Sequence, residues 1–263
     1  MKTKAINISF LITHYNRPNE LFKCIQAIKE LKLPNTEIVV SDDCSSGEVL
    51  NTIMAFPFDK LIKANENQGL AANINKGLKS CSGIYVIYCQ EDFVLHQGLD
   101  QVLPECLQLL ENKKADMVRL TAYFQFKHLK SLSAHTALIP KFSFRNFLHN
   151  FYRYSDHPFI VKKGFFDTYG YYLEHTSGRY GETEYAIRMC NSKVKIAILK
   201  TYVASVIDGA TSMLASEDMA FSKKISGSKW LLKYLRAFRL YFEWLCYFKN
   251  RRGLLTYKNG RAL

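Results

Sequence analysis

Two adjacent carboxylates, Glu91 and Asp92, follow closely on a short apolar run at residues 84–89, with Gln90 between the run and the acids. The run is rich in β-branched and aromatic residues and is preceded by Gly83, a composition typical of a buried parallel strand. Ligands of open α/β sheets bind at the carboxyl ends of strands, and adjacent acids there indicate a divalent cation that holds a phosphorylated substrate. A turn that simply ends the strand is the alternative interpretation.

Polar clusters also follow two earlier apolar runs of the chain. The run at residues 6–12 leads into the polar residues 13–17, and the run at residues 37–41 ends in two aspartates, residues 42–43. Because the carboxyl ends of parallel strands meet at one edge of a sheet, we expect both clusters and residues 90–92 to line a single crevice.

A sheet must position these clusters, and the periodicity of the chain predicts one. Apolar residues recur at helical spacing between the strand-like runs, as at Leu21, Ile25 and Ile28 behind Pro18. Strand and helix thus alternate, which is typical of an α/β protein with a mostly parallel, Rossmann-like sheet flanked by helices. The predicted strands cover 6–12, 37–41, 60–63 and 84–89, and the predicted helices begin at Pro18 and cover 48–54 and 70–80.

The remainder of the chain has a less regular pattern. Residues 124–151 are basic and aromatic, and they form either a flap over the site or a surface insert. The elements predicted around them are a helix at 103–110, a strand at 115–120, a strand-turn-helix unit at 157–166, a helix at 178–190 and strands at 196–199 and 202–207.

Composition excludes several classes of protein. The chain of 263 residues is 48% hydrophobic, which is typical of a packed globule. No stretch reaches the roughly 18 apolar residues of a membrane span. The amino terminus has too few apolar residues for a signal peptide, so we expect a cytoplasmic protein. The seven cysteines include no C-x-x-C pair, which favours reduced core thiols over disulfides or a zinc site.

The formal net charge of +13 is concentrated at the carboxyl terminus. Residues 223–263 contain eleven Lys or Arg residues and a single acid, Glu243. Residues 228–252 have the pattern of a basic amphipathic helix. Such a helix binds an anionic membrane surface or packs on the globular body, and one helix can do both. The chain contains no recognisable nucleic-acid-binding module, so nucleic acid is not an expected partner.

Four segments occur in a fixed order in the first half of the chain: Ser9 to Arg17, Glu37 to Ser45, Asn65 to Asn73 and Gly83 to Asp92. They resemble motifs of family 2 glycosyltransferases of the GT-A fold, and the resemblance extends over residues 5–95. It implies a GT-A domain at residues 1–222, with a nucleotide-binding half at 1–95 and an acceptor and catalytic half at 96–222. A basic helical tail at 223–263 follows.

The same resemblance implies which residues surround the nucleotide. Tyr15 can stack on the base, and Asp43 can accept a hydrogen bond from the imide N–H of uracil, which favours UDP over GDP and dTDP. The residues implied around the nucleotide and its diphosphate are Thr13, Tyr15, Arg17, Asp43, Asn67, Gly69, Asn73 and Glu91.

A divalent cation, Mn²⁺ or Mg²⁺, is implied at the diphosphate, where it neutralises the growing charge of the leaving group. Asp92 is the first expected protein ligand and Glu91 the second, while Gln90 replaces the first acid of the D-x-D motif of the family. Asp208 is a further candidate, at a place where many relatives carry a histidine.

The segment Gly181 to Arg188 resembles the acidic motif that carries the catalytic base in the family. Alignment on Arg188 puts Glu182 at the position of the base, with Glu184 as the secondary candidate. The alternative is that both glutamates only add charge to the amino-terminal part of a helix. As the resemblance implies, attack by the acceptor hydroxyl would invert the anomeric centre in a single displacement.

The resemblance thus implies a transferase of polysaccharide biosynthesis that moves a sugar, preferably from a UDP-sugar, to a saccharide or lipid-linked saccharide at the inner face of the cytoplasmic membrane. A dinucleotide-dependent oxidoreductase would share the alternating pattern, but G-x-G-x-x-G is missing after the first strand. A further alternative is a GT-A-fold binding protein on an anionic membrane surface, impaired in catalysis by Gln90 and the altered motif at Gly181.

Overall fold

The structure is a computed structural model that describes residues 7–176, 178–208, 229–248, 251–252 and 255–256. A nine-stranded sheet forms its centre, and two short two-stranded ribbons lie outside that sheet. The strands, in chain order, are β1 (Ile8–His14), β2 (Thr36–Asp42), β3 (Lys60–Lys63), β4 (Tyr85–Gln90), β5 (Phe93–Leu95), β6 (Met117–Arg119), β7 (Lys130–Ser131), β8 (Thr136–Leu138), β9 (Phe159–Lys162), β10 (Ile196–Leu199), β11 (Ala204–Val206), β12 (Arg251–Arg252) and β13 (Leu255–Thr256).

The central sheet has the strand order β3-β2-β1-β4-β9-β6-β10-β8-β7. Strands β1 to β4 run parallel, and β1 pairs with β2 on one side and with β4 on the other. β9 is antiparallel to β4 and to β6, whereas β10 is parallel to β6. The prediction of a mostly parallel α/β sheet is therefore confirmed.

The order of the first four strands creates a switch point next to β1. The chain builds from β1 outwards to β2 and β3 and then crosses back to place β4 on the opposite side of β1. Ligands of such sheets bind outside the carboxyl ends of the strands at this change of direction. β1 ends at His14 and β4 at Gln90, so the polar residues that follow them meet there.

Helices cover both faces of the sheet because alternate strand residues are apolar on both sides. The helices are α1 (Pro18–Glu30), α2 (Gly47–Ile53), α3 (Leu70–Ser80), α4 (Leu99–Glu111), α5 (Phe165–Tyr169), α6 (Gly178–Asn191) and α7 (Lys229–Leu245), with 3-10 turns at Phe144–Asn146 and Asn150–Arg153. Phe10 and Ile12 of β1 pack in one core with α1, α2 and α4, while Leu11 packs in the opposite core with α3, α5 and α6.

Gly83 sets the approach of β4 to β1. A Cβ atom added there would lie 2.6 Å from the backbone nitrogen of Ser9, closer than real side chains come. The Gly83 N–H also donates to Ser9 Oγ at 2.8 Å. The glycine in front of the predicted strand is therefore needed for close backbone packing.

Two parts of the second half differ from the sequence prediction. Residues 202–207 do not extend the main sheet, because β11 pairs antiparallel with β5, a strand that the sequence pattern did not predict. Within residues 124–151, β7 and β8 extend the edge of the main sheet and the two 3-10 turns follow. The segment is thus neither wholly irregular nor separate from the core.

The carboxyl-terminal helix α7 packs on the globular body through one side only. Ala237 and Leu240 are buried, and Leu240 belongs to a small core with Phe151, Ile187 and Cys190. The helix ends at Leu245, earlier than the predicted residue 252. The predicted domain boundary between residues 222 and 223 lies outside the described residues, as do residues 228 and 249–250 of the predicted helix.

All seven cysteines are free thiols, and five of them are buried. Among the helices that the structure describes, none combines the length and the apolar composition that crossing a bilayer requires.

Candidate active site

The loops after β1 and β4 face each other across the switch point. Arg17, which follows β1, places Nη1 3.8 Å from Oδ2 of Asp92, which follows β4. The predicted convergence of the two clusters on one crevice is therefore confirmed for this part of the chain.

A buried network fixes the loop after β1 against the loop after β2. His14 donates from Nδ1 to Asp42 Oδ2 at 2.7 Å, and its Nε2 accepts the backbone N–H of Arg17 at 3.1 Å. Ser45 Oγ donates to the same Asp42 oxygen at 2.5 Å. Burial opposes the ionisation of Asp42, but the hydrogen bonds from His14 and Ser45 outweigh it and lower the pKa of Asp42. An ionised Asp42 thus holds His14 in one tautomer and orients the backbone at Arg17.

Asp43 ties the loop after β2 to the loop before α3. Its two carboxylate oxygens accept the backbone N–H groups of Gln68 at 2.9 Å and Gly69 at 2.8 Å. Gly69 has φ +85°, a conformation that favours glycine. Asn67 is exposed on the same loop. The motif from Asn65 to Asn73 is therefore held at the crevice by Asp43.

Three other residues expected around the nucleotide occupy different depths. Thr13 is buried, with Oγ1 3.3 Å from the hydroxyl of Tyr88, whereas Tyr15 is half-buried. Asn73 is buried within α3; its Nδ2 donates to the His14 carbonyl oxygen at 3.4 Å, and its Oδ1 accepts from Ser41 at 2.7 Å. The side chain of Asn73 therefore holds α3 against β1 and β2.

Asp92 carries a carboxylate oxygen that suits a cation. Oδ1 is buried and has no hydrogen-bond partner among the described residues. Burial raises the pKa of Asp92, although the guanidinium of Arg17 acts in the opposite direction. Burial also raises the pKa of the neighbouring Glu91, to about 8. A cation held here would relieve the cost of the unpartnered oxygen.

In the part of the chain that the structure describes, no group of three or more His, Cys, Asp or Glu side chains could hold an ion. A Mg²⁺ or Mn²⁺ ion at Asp92 and Glu91 would have these one or two carboxylates as protein ligands and would complete its shell with phosphate oxygens and water.

Asp208 lies beside this turn because β11 pairs with β5. Val206 is paired with Phe93, and the backbone N–H of Ile207 donates to the Asp92 carbonyl oxygen at 2.8 Å. The fold thus brings Asp208, which is exposed, next to Asp92 despite their separation in sequence.

The two glutamates of α6 have different surroundings. Glu184 is buried, and its carboxylate accepts from Arg188 at 2.6 Å and 3.1 Å and from the hydroxyl of Tyr247 at 3.0 Å. Glu182 is half-buried and lines a cavity of about 440 Å³. Glu184 is therefore engaged in holding the fold, while Glu182 faces open space.

Asp156 is a candidate residue that the sequence pattern did not indicate. It immediately precedes the predicted strand-turn-helix unit, and it lines a small space beside α3 and α6 together with Glu182. Burial raises the pKa of Asp156 well above its ordinary value, and the proximity of Glu182 adds to that increase. In its protonated form, Asp156 can donate a hydrogen bond to the Glu182 carboxylate and hold it in place.

Tyr123 links the two acidic parts of the crevice. The charges of Asp92, Asp156 and Glu182 all raise the pKa of Tyr123, after burial as the largest cause. Its ring also makes an edge contact with His157 at 4.2 Å between centroids. His157 lines the same cavity as Tyr123 and Glu182 and also contacts Phe93, the residue after Asp92, with the ring centroids 5.5 Å apart, so the two candidate groups lie close together.

Comparison with known proteins identifies the family. The sequence model described as glycosyl transferase family 2 matches residues 9–169. The chain belongs to this family. The resemblance suggested by the four motifs is thereby confirmed, and family 2 membership makes the chain a glycosyltransferase by class.

The curated relatives of this glycosyltransferase are similar over its first half. Glycosyltransferase GlyA of Streptococcus pneumoniae is 34% identical over 99 residues, which cover 36% of this chain and 14% of that protein. A GalNAc(5)-diNAcBac-PP-undecaprenol beta-1,3-glucosyltransferase of Campylobacter jejuni is 30% identical over 96 residues, which cover 35% of this chain and 31% of that protein. The chain thus spans about a third or less of these two relatives.

Solved structures of low identity share the fold. TarS of S. aureus, in complex with UDP-GlcNAc, has a TM-score of 0.60 at 16% identity and covers 80% of this chain and 61% of that chain. Mannosyltransferase PcManGT of Pyrobaculum calidifontis, in complex with GDP-Man and Mn²⁺, has a TM-score of 0.53 at 13% identity, covering 73% of this chain and 56% of that chain. The GT-A fold expected from the sequence is therefore confirmed.

Proposed function

We propose that this family 2 glycosyltransferase moves a sugar from UDP to an acceptor hydroxyl, with a divalent cation on the diphosphate and inversion at the anomeric carbon. The observation that carries the proposal is the proximity of two groups: Asp92 has an unpartnered carboxylate oxygen, and the adjacent Phe93 contacts His157, which lines the same cavity as Glu182. Residues 1–95 would bind the nucleotide, and residues 96–222 would bind the acceptor.

The chemistry divides between the two carboxylates. Asp92, with Glu91 beside it, would hold a divalent cation that neutralises the diphosphate as the bond to the sugar breaks. Glu182 would accept the proton of the acceptor hydroxyl as its oxygen attacks. A protonated Asp156, which lies beside Glu182, would orient the Glu182 carboxylate by donating a hydrogen bond to it. A single displacement by the hydroxyl oxygen inverts the anomeric centre and needs no covalent intermediate.

The preference for UDP rests on Asp43 and on a structural relative. Asp43 keeps accepting capacity on its carboxylate oxygens beyond the two backbone N–H groups that they bind, so it can accept the imide N–H of uracil. TarS, which shares the fold, binds UDP and UDP-GlcNAc. Tyr15, half-buried at the rim, supplies a ring for stacking.

The acceptor in this proposal is a saccharide or lipid-linked saccharide, presented at an anionic membrane surface. Helix α7 supports this part, because large apolar side chains on it face solvent beside basic ones. Arg239 lies on the same helix with its side chain 58% exposed and would face anionic headgroups, contributing about 1 kcal/mol near the surface. The exposed apolar residues are Leu231 (50%), Leu235 (55%), Phe238 (59%) and Phe242 (49%).

A thermal-shift panel of nucleotide sugars tests the proposal. UDP-sugars with Mn²⁺ should stabilise the protein more than GDP- or dTDP-sugars, and removal of Mn²⁺ should reduce the shift. Ligand binding to the native state alone raises the unfolding temperature in proportion to the logarithm of ligand concentration over Kd. Failure of every nucleotide sugar to stabilise the protein would overturn the proposal and favour the binding-protein alternative.

A further inference from the structure

A cavity of about 440 Å³ separates α7 from the segment that runs from β6 to β9, and it opens beside Glu182. Three cationic side chains line it, Arg119 from β6 and Lys233 and Arg236 from α7. Lys233 and Arg236 belong to the predicted basic helix, and the proposed nucleotide and cation sites include none of the three residues.

Among the described residues, the positive charge of this cavity is balanced only in part. Within the described residues, neither Arg119 nor Lys233 nor Arg236 forms a salt bridge with a carboxylate, and Glu182 is the one acid in the lining. Arg119 is buried and donates to the backbone oxygen of Tyr152 and, at 3.1 Å, to Ser155 Oγ. Burial lowers the pKa of Arg119 to about 10, so it stays charged at neutral pH.

Aromatic rings line the same cavity as the cations. Phe124 and His149 stack with their centroids 4.2 Å apart, and the guanidinium of Arg236 lies 5.5 Å from the ring centroid of Tyr152. Rings of this kind provide flat apolar surfaces of the sort that ligand sites combine with a few placed polar groups. The lining thus suits a ligand with a ring and a negative charge.

A second cavity of about 370 Å³ adjoins the first and shares Glu182, Tyr152 and Arg236 with it. Its other lining residues are mainly apolar and include Leu232 and Leu235 from α7. Both cavities therefore meet at Glu182, the candidate base. The first cavity is lined mainly by basic and aromatic residues, and the second is lined mainly by apolar residues.

We propose that these joined cavities are the acceptor subsite and that the acceptor carries a phosphate group close to its attacking hydroxyl. This inference rests on the proposed function, because it takes Glu182 as the group that receives the hydroxyl proton. Arg236 and Arg119 bind the phosphate, Lys233 adds a point charge, and the aromatic wall packs on the sugar ring. A free sugar phosphate and a lipid-linked sugar phosphate share this chemistry.

Calorimetric titration tests the subsite directly, with saturating UDP and Mn²⁺ present to block the nucleotide site. The probes are N-acetylglucosamine 1-phosphate, the same sugar linked through a diphosphate to a ten-carbon isoprenyl chain, and neutral N-acetylglucosamine. Both phosphorylated probes should bind at least about tenfold more tightly than the neutral sugar, because hydrogen bonds to charged groups are the strong ones. If the isoprenyl probe binds more tightly than N-acetylglucosamine 1-phosphate and Leu235→Ser removes that gain in affinity, the acceptor is lipid-linked. Equal affinities for these two phosphorylated probes would identify a free sugar phosphate.

The variants Arg236→Gln and Lys233→Gln should each weaken binding of the phosphorylated probes about tenfold, while Arg145→Gln should leave it unchanged. Arg145 is an exposed arginine of the same segment that lies outside the lining. Unchanged affinity in Arg236→Gln and Lys233→Gln, with the UDP-induced thermal shift intact, would overturn the subsite and leave the proposed function standing. A wild-type protein that UDP does not stabilise would instead count against the proposed function. The two failures are distinguishable, because UDP binding is measured by thermal shift and the Arg236-dependent binding of the probes by calorimetry.

Discussion

Replacement of Glu182 by glutamine should separate catalysis from donor binding. The side chain is half-buried at the cavity wall, and glutamine keeps its size and can still bond to Asp156. We therefore expect the free energy of unfolding to change by no more than about 1 kcal/mol. Loss of a general base slows a reaction about 10²- to 10⁴-fold, which corresponds to about 3 to 5 kcal/mol in the barrier.

The matched control is the glutamate two residues further along α6. Glu184→Gln replaces a buried carboxylate by an amide. That carboxylate binds Arg188 through both oxygens and also accepts a hydrogen bond from the hydroxyl of Tyr247. Breaking a buried pair of this kind costs about 3 kcal/mol. That cost lowers the unfolding temperature by roughly 6 °C in a chain of this size. Below that temperature, the variant should keep most of its transfer rate.

The assay is the rate of UDP release from the UDP-sugar that gives the largest thermal shift, together with the Kd for UDP from calorimetry. Glu182→Gln should lose the rate and keep the Kd, while Glu184→Gln should lose stability and keep both. Retention of UDP release by Glu182→Gln would refute the assignment of the base. Loss of release by Glu184→Gln alone would move the role to that residue.

Three further changes test other parts of the site. Asp92→Asn should abolish the Mn²⁺-dependent part of the thermal shift with UDP-sugars, because an amide oxygen is a weaker ligand than a carboxylate; an unaltered shift would remove Asp92 from the cation site. The stability of Asp156→Asn relative to the wild type should increase as the pH rises above about 4. The wild type loses stability between the unfolded and the native pKa of Asp156, because the unfolded chain ionises there while the native state keeps its proton. Urea unfolding at pH 4 and pH 8 measures the difference, and an equal difference at both pH values would contradict the prediction. The double variant Leu235→Ser with Phe238→Ser should lose sedimentation with vesicles of anionic lipid while UDP still stabilises it, and unchanged sedimentation would show that α7 serves packing alone.

The first half of the fold was predictable because its signals are local. Strands β1, β2 and β4 are short apolar runs with a polar cluster behind each, and helices α1 and α3 show apolar residues at helical spacing. The family motifs lie in this half, and they gave the correct element order. The second half was harder, since β5, β7 and β8 span only two or three residues each and carry no periodicity of their own.

The choice between Glu182 and Glu184 shows where sequence reasoning stopped. The i, i+4 spacing of Glu184 and Arg188 was a sequence signal for an ion pair on one face of α6. It did not exclude Glu184 as the base, because an ion pair on a helix can be exposed or buried. Contacts with Tyr247, far along the chain, decide that Glu184 is enclosed.

The sequence by itself determined the α/β class, the four motifs and the edge of the sheet at which they meet, because strand and helix periods and strand-end residues are properties of neighbouring positions. Only the tertiary structure decided that Asp156 lies beside Glu182, that Ile207 brings Asp208 beside Asp92, and that α7 lines a basic cavity beside Glu182. These are contacts between residues distant in the chain, and they depend on how the helices and the β5–β11 ribbon pack on the sheet.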